Sequence, residues 1–256
     1  MSFLHRSVLF IALSATLGMA ACANLPQTPE EREKAQAVND PFEPTNRVIF
    51  EANDFMDRNL IKPLAQGYRY VFPEFVRNRI SNVLENLGEP VVFANDMFQG
   101  RADSAGTTLE RFGLNSTLGV VGMWDVATGW GMPKQSGDFG QTLYSWGINE
   151  GPYIVLPFFG PSNFRDALGY GGDAAMSPWG YIAASDGNGT ATRYMIASFG
   201  ASGLGRREQN LEALDALKEG SLDFYAQMRS VYRQYRHKQL GMAPEDTSSL
   251  FNDSPY

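Results

Sequence analysis

The chain is 256 residues long with an apolar fraction of 43%, enough for a packed core in one large domain or two small ones, which excludes wholesale disorder. Its formal charge of −7 lacks the basic footprint of a duplex nucleic-acid binder, so no nucleic-acid partner is expected. One cysteine excludes an intrachain disulfide and a Cys-rich metal site, and two histidines leave little imidazole for catalysis. A binder or conduit fits these counts better than a hydrolase or metalloenzyme.

Residues 1–21 have the parts of an export signal: His5 and Arg6 at the start, an apolar run from Val8 to Leu17, and small residues Gly18, Ala20 and Ala21 before Cys22. Met19-Ala20-Ala21-Cys22 resembles a bacterial lipobox with Met at its first position. The alternative is an ordinary leader with an incidental cysteine, but the only cysteine in the chain stands at the cleavage point, so Cys22 is read as the lipidation site. Each buried CH₂ of an acyl chain contributes about 0.8 kcal/mol, so several chains hold a protein at a membrane almost permanently. Ala23, where lipoproteins retained at the inner membrane often carry Asp, favours the outer membrane on its periplasmic side. No later stretch reaches the ~18 consecutive apolar residues of a spanning helix.

Residues 22–40 read as a lipidated Cys and a polar tether, with Pro26, Pro29 and the cluster Glu30, Glu31, Arg32, Glu33, Lys34. Helical periodicity then begins. Val48, Ala52, Phe55, Met56 and Leu60 share one face, and Val76, Ile80, Val83, Leu84 and Leu87 share another. Pro44 and Pro73 suit the first turns, while Lys62-Pro63 and Glu89-Pro90 predict breaks.

From Gly113 to Gly205 the composition changes. Nineteen of the 26 glycines and all four tryptophans fall there, but only nine of the 49 charged residues. Long regular helices are disfavoured in such a stretch, because each Gly costs about 1 kcal/mol relative to Ala. A charge-poor, aromatic segment suits either a core with many turns or a surface that meets lipid. The anchor favours the second, since Trp and Tyr prefer the membrane–water boundary. After Arg206 the helical period returns. Leu211, Leu214 and Leu217 form one stripe, Gly220 interrupts, and Leu222, Tyr225, Met228, Tyr232 and Tyr235 form a second beside a basic ridge of Arg229, Arg233 and Arg236. The ridge reads as a solvated edge, or alternatively as a contact for lipid phosphates or an acidic partner. Residues 242–256 read as an unstructured tail.

Catalytic patterns are scarce. Gly200-Ala201-Ser202-Gly203-Leu204 is a near miss for a nucleophile elbow, and no P-loop or G-x-G-x-x-G is present. His237, between Arg236 and Lys238, reads as a surface residue. Asp166 and Asp173 could pair as acid and base, but carboxylates near Arg165 are more often structural ion pairs. No enzyme activity, metal or cofactor is expected.

The ordered motifs Asn39-Asp40-Pro41-Phe42-Glu43-Pro44, Asn46-Arg47, Asn115-Ser116-Thr117, Asp138-Phe139-Gly140-Gln141-Thr142-Leu143, Trp146-Gly147, Gly151-Pro152-Tyr153, and Gly160-Pro161-Ser162 with Arg165-Asp166 resemble the MlaA (VacJ) family of lipoproteins. The resemblance runs from about residue 39 to residue 173. It implies a mostly α fold over residues 41–241: a single ring-like domain of short amphipathic helices in the inner leaflet of the outer membrane, with a glycine- and aromatic-rich middle and C-terminal helices. It further implies association with a trimeric porin, passage of phospholipid from the outer leaflet through a central channel, and transfer to a soluble MlaC-like periplasmic carrier. Phospholipid is then a transported ligand, and the acyl chains on Cys22 are the only attached group. Candidate channel residues are the polar positions Asn46, Arg47, Asn53, Asp54, Asn82 and Asn86, while Asp40 and Asn115 read better as caps or turns. Gly119, Gly122, Gly169, Gly171 and Gly172 are candidate hinges of a gate.

Overall fold

The computed structural model describes residues 39–242; the leader, Cys22, the tether up to residue 38 and the tail beyond Met242 lie outside the described residues. The chain is mostly helical. In order it forms α1 (Glu43–Met56), a π-helical turn (Asp57–Ile61), α2 (Lys62–Val71), α3 (Glu74–Phe98), α4 (Ala102–Thr117), α5 (Val126–Gly129) and α6 (Phe139–Ser145). The strands β1 (Tyr153–Leu156) and β2 (Gly160–Asn163) follow, then α7 (Phe164–Met176), α8 (Pro178–Ser185), α9 (Thr190–Gln209), α10 (Leu211–Glu219) and α11 (Phe224–Gln239). None of the described helices is long and apolar enough to cross a membrane. Two compact units result, one of residues 39–55 with 150–164 and one of residues 56–149 with 165–242.

The smaller unit is a hairpin capped by a helix. β1 and β2 pair antiparallel, Tyr153 opposite Asn163 and Leu156 opposite Gly160. The other edge of β1 would be left open, and two amides from α1 close it. Asn46 donates to Tyr153 O at 3.1 Å and accepts from Val155 N at 2.9 Å. Seven residues on, Asn53 donates to Leu156 O and accepts from Phe158 N, both at 2.9 Å. Two helical turns put both amides on one face, where they stand in for a third strand. Asn46 also donates to Asp40 Oδ1 at 2.8 Å, so Asp40, at the end of the segment read as tether, is fully buried.

In the larger unit both predicted proline breaks give way to continuous helix. The π turn explains the first. Lys62 N–H bonds to Asp57 O five residues back, and this widened turn relieves the clash a proline makes with the carbonyl four residues before it. Pro90 lies inside the 25-residue α3. A proline there costs about 3 kcal/mol, which tertiary ties offset: α3 buries Asn86, Glu89, Asn95 and Asp96 against its neighbours, and the Trp179 indole donates to Leu87 O at 2.6 Å.

The expectation of short helices in the glycine-rich middle also fails at α9, which is 20 residues long and includes Gly200, Gly203 and Gly205. Ionic anchors at its C-terminal end offset the glycine cost. Arg207 holds Asp57 through two bonds of 2.7 and 3.0 Å, and buried Glu208 takes Arg69 Nε at 2.7 Å and Arg77 Nε at 3.3 Å. Gly220 ends α10 as expected.

Candidate functional site

Polarity is inverted relative to a soluble domain. Among the described residues nineteen polar or charged side chains are buried against nine apolar ones, four of them alanine, while 35 large apolar side chains are exposed. A buried polar group or a broad exposed apolar surface is the informative deviation from ordinary packing. In the smaller unit Val48, Phe55, Phe158 and Phe159 face outward. In the larger unit so do Leu60, Leu64, Tyr70, Val71 and Phe75, then Leu118, Val120, Val121, Met123 and Trp124 with Trp130, and then Tyr181, Tyr194, Ile196 and Phe199. The stripe Val48, Phe55, Leu60 read from sequence as an amphipathic face is therefore turned away from the protein interior. Trp124, Trp130 and Trp146 are exposed as well.

The buried polar groups of the larger unit form a connected network. Arg236 Nη1 and Nη2 donate to Asp138 at 2.6 and 2.7 Å, Nη2 donates to Asp166 Oδ1 at 2.9 Å, and Nε lies 2.7 Å from Asp166 Oδ2. Tyr232 OH donates to Asp166 at 2.7 Å, and Arg165 Nε does so at 3.1 Å. Burial would raise the Asp138 carboxyl, but bonds from Arg236 and Gln141 outweigh it and hold its pKa below the ordinary carboxylate range. Burial likewise opposes the Arg236 charge, and the two aspartates more than offset it.

Beside this ion cluster Asp173 Oδ1 accepts from Asn95 Nδ2 at 2.8 Å and from Phe139 N at 2.9 Å. Thr142 links Asn95 to Gln99 at 2.7 and 3.0 Å. Burial, assisted by the nearby Asp138 charge, pushes the Asp173 carboxyl up to about 6. The sequence reading of Arg165–Asp166 as a structural pair agrees with this geometry. Two other readings are corrected: Arg236 is a buried member of the cluster and not part of a basic ridge, and His237 is buried, because α11 turns both residues inward.

A second network supports an exposed apolar loop. Arg111 on α4 reaches Thr128 Oγ1 at 3.0 Å, Met132 O at 2.7 Å and both oxygens of Asp125 at 3.2 Å. Asn115 donates to Asp125 at 3.1 Å and accepts from Ala127 N at 3.0 Å, the turn-holding role expected of it. Burial works against the charge of Asp125, yet bonds from Thr128, Asn115 and Arg111 bring its pKa down to about 2. Between these anchors Val120, Val121 and Gly122 have φ of 51°, 58° and 86°. Two successive β-branched residues in the left-handed region are strained, and both valines are exposed.

The sequence candidates fall as follows. Asn46 and Asn53 are engaged with β1. Arg47 pairs with Glu43 at 2.8 Å within α1, and Asp54 is half-buried on the same helix. Asn82 donates to Met123 O at 3.0 Å, and buried Asn86 donates to Ser116 Oγ at 2.9 Å, so both tie α3 to the apolar loop and its root. The buried aspartates and arginines of the network went unrecognised as a group, because their partners lie 70 and 98 residues apart.

Of the glycines, Gly122 has left-handed backbone, while a Cβ on Gly119 would lie 2.2 Å from Trp124 O. A Cβ on Gly169 would come within 2.6 Å of Gly140 N, and one on Gly172 within 2.2 Å of the Phe139 ring. Close approach, and not torsional freedom, is what these two helical positions require. Gly171 faces open space. Gly169→Ala is therefore expected to cost about 1–3 kcal/mol by overpacking, whereas Gly171→Ala gains up to about 1 kcal/mol of helix propensity. Thermal melts of the two variants should move in opposite directions.

Comparison with known proteins places this arrangement. Residues 38–239 match the family model of the MlaA lipoprotein. The chain belongs to the MlaA lipoprotein family. Relatives named intermembrane phospholipid transport system lipoprotein MlaA include those of Haemophilus influenzae, 29% identical over 90% of this chain and 89% of the relative, and Escherichia coli, 32% identical over 89% and 85%. A solved structure described as the structural basis for maintenance of bacterial outer membrane lipid asymmetry aligns with a TM-score of 0.65 at 30% identity, covering 78% of this chain and 98% of that one. Family membership agrees with the helical fold.

Proposed function

We propose that this MlaA-family lipoprotein is held in the periplasmic leaflet of the outer membrane by acyl chains on Cys22 and by its apolar surface. There it removes misplaced phospholipids from the outer leaflet and passes them to a periplasmic MlaC-like carrier beside a trimeric porin. The observation that carries this reading is the inverted polarity of the described residues, with outward Phe, Tyr, Trp and Leu over an interior of paired Asp, Asn and Arg.

A phospholipid crosses hydrocarbon slowly because its charged head group must shed water, at a cost of many kcal/mol. A protein whose exterior is solvated by acyl chains and whose interior is polar lowers that cost without a spanning helix. The negative net charge argues that attachment rests on apolar burial and acyl chains, not on attraction to anionic lipid. No bond is broken in this process.

Deleting the gene should increase phospholipid reachable at the cell surface by an added phospholipase, and a Cys22→Ala form should fail to restore the wild-type level. Unchanged surface phospholipid with altered porin assembly would point instead to a bracing role. Release of lysolipid by the purified protein would point to a hydrolase.

A further inference from the structure

The larger unit carries a cleft of about 380 Å³ lined by Gln66, Arg69 and Tyr70 of α2 and by Leu211, Glu212 and Asp215 of α10. Sequence reading assigned it nothing. We propose that this cleft takes the zwitterionic head group of an ammonium-bearing phosphodiester, the phosphate on Arg69 and the ammonium on Glu212. The proposal deepens the lipid-passage reading and rests on it.

The partners of Arg69 are unequal. Glu208 is buried and holds Arg69 Nε at 2.7 Å, while its backbone carbonyl takes Nη2 at 2.6 Å. Because Arg77 shares the same carboxylate, this side is fixed. Glu212 takes the outer edge of the guanidinium, with Nη1 on Oε1 and Nη2 3.3 Å from Oε2, and its side chain is 75% exposed. An ion pair at such a site contributes little and exchanges readily. The Glu212 carboxylate occupies the position that a phosphodiester would take, since a guanidinium edge fits both bidentately.

Charge balance selects the ligand. Asp215 is already matched by Lys62 Nζ at 2.8 Å, and Asp57 by Arg207. When a phosphate displaces Glu212 from Arg69, the freed carboxylate is the one group left without a counter-charge. A ligand carrying its own ammonium two carbons from the phosphate restores the balance, and Tyr70, 92% exposed at the rim, offers a ring face to the cation. A head group with only a negative charge leaves Glu212 repelling it. The Gln66 amide supplies a neutral donor beside Arg69.

The test is titration of the full-length protein in detergent with glycerophosphoethanolamine, glycerol 3-phosphate and inorganic phosphate, followed by NMR shifts of the Gln66 side-chain amide and the Arg69 Nε–H. Glycerophosphoethanolamine should bind about two- to fivefold more tightly than the other two probes. Glu212→Gln, at an exposed position that leaves the Glu208 anchor intact, should abolish that preference by tightening the purely anionic probes.

Equal response to all three probes, a preference unchanged in Glu212→Gln, or no shift at either group would overturn the assignment. Surface phospholipid measured in cells carrying Glu212→Gln separates the two levels of inference. Wild-type export together with absent binding removes the cleft alone, whereas loss of any export phenotype on gene deletion removes the lipid-passage reading itself.

Discussion

Replacing Arg236 with methionine is expected to destabilise the protein by about 3–5 kcal/mol, the range for breaking one side of a buried ion pair. The cost arises from what remains. Asp166 is buried and loses both its 2.9 and 2.7 Å contacts with the guanidinium, and Asp138 loses contacts of 2.6 and 2.7 Å. Two carboxylates then lose their principal counter-charge, with Tyr232 and Arg165 still bonded to Asp166 and Gln141 to Asp138. The geometry is tight enough that Gly140 has no room for a side chain, since a Cβ there would lie 2.4 Å from Arg236 Nη2 and 2.5 Å from Asp166 Oδ1. Heat denaturation followed by circular dichroism should show the loss in Arg236→Met and partial recovery when Asp138→Asn and Asp166→Asn are added. A melt of Arg236→Met indistinguishable from wild type would mean that the cluster adds nothing to stability.

The second large effect is a pH dependence centred on Asp173. Its folded pKa of about 6 lies above the unfolded value of about 3.9, so the native state favours the protonated form. The resulting penalty is absent below about pH 4, grows as pH rises to 6, and is complete above that, at up to about 3 kcal/mol. Asp173→Asn keeps an oxygen to accept from Asn95 and Phe139 N and removes the charge. It should therefore stabilise the protein at pH 7–8 and leave it unchanged near pH 4. Asp138 acts with the opposite sign: its lowered pKa contributes stability that is present above the unfolded value and is lost as pH falls below about 4. Urea unfolding of wild type and Asp173→Asn between pH 4 and 8 measures the Asp173 penalty, and extending the wild-type and Asp138→Asn series below about pH 4 measures the Asp138 contribution. Parallel curves would show that Asp173 carries no such penalty.

Some of the polar candidates were visible in the sequence for a sound reason, and the structure adds partners for them that no local pattern shows. Asn46 and Asn53 stand opposite the apolar stripe of α1, so periodicity marks them as facing away from it. Their use as a surrogate strand edge depends on β1, more than a hundred residues later. Asn82 and Asn86 belong to the same class, with partners at Met123 in the loop and at Ser116 in the last turn of α4. Proline at 63 and 90 is a local signal for a break, which a widened turn and buried side chains overrule. Glycine at 169 and 172 reads locally as freedom, although the packed helices use its small size.

The sequence by itself determined the helical class, the glycine-rich charge-poor middle and, through its ordered motifs, the family. All of these are properties of neighbouring residues or of spacing along one element. Tertiary structure alone decided which way each face turns and which charges meet. Helical periodicity shows that Val48, Phe55 and Leu60 share a side, but the same stripe serves a core or a lipid contact equally well. The choice depends on what else fills the interior, and here paired Asp, Asn and Arg from distant helices fill it. Opposite charges buried together are stable only with near-ideal geometry, and that geometry exists only once α6, α7 and α11 are assembled.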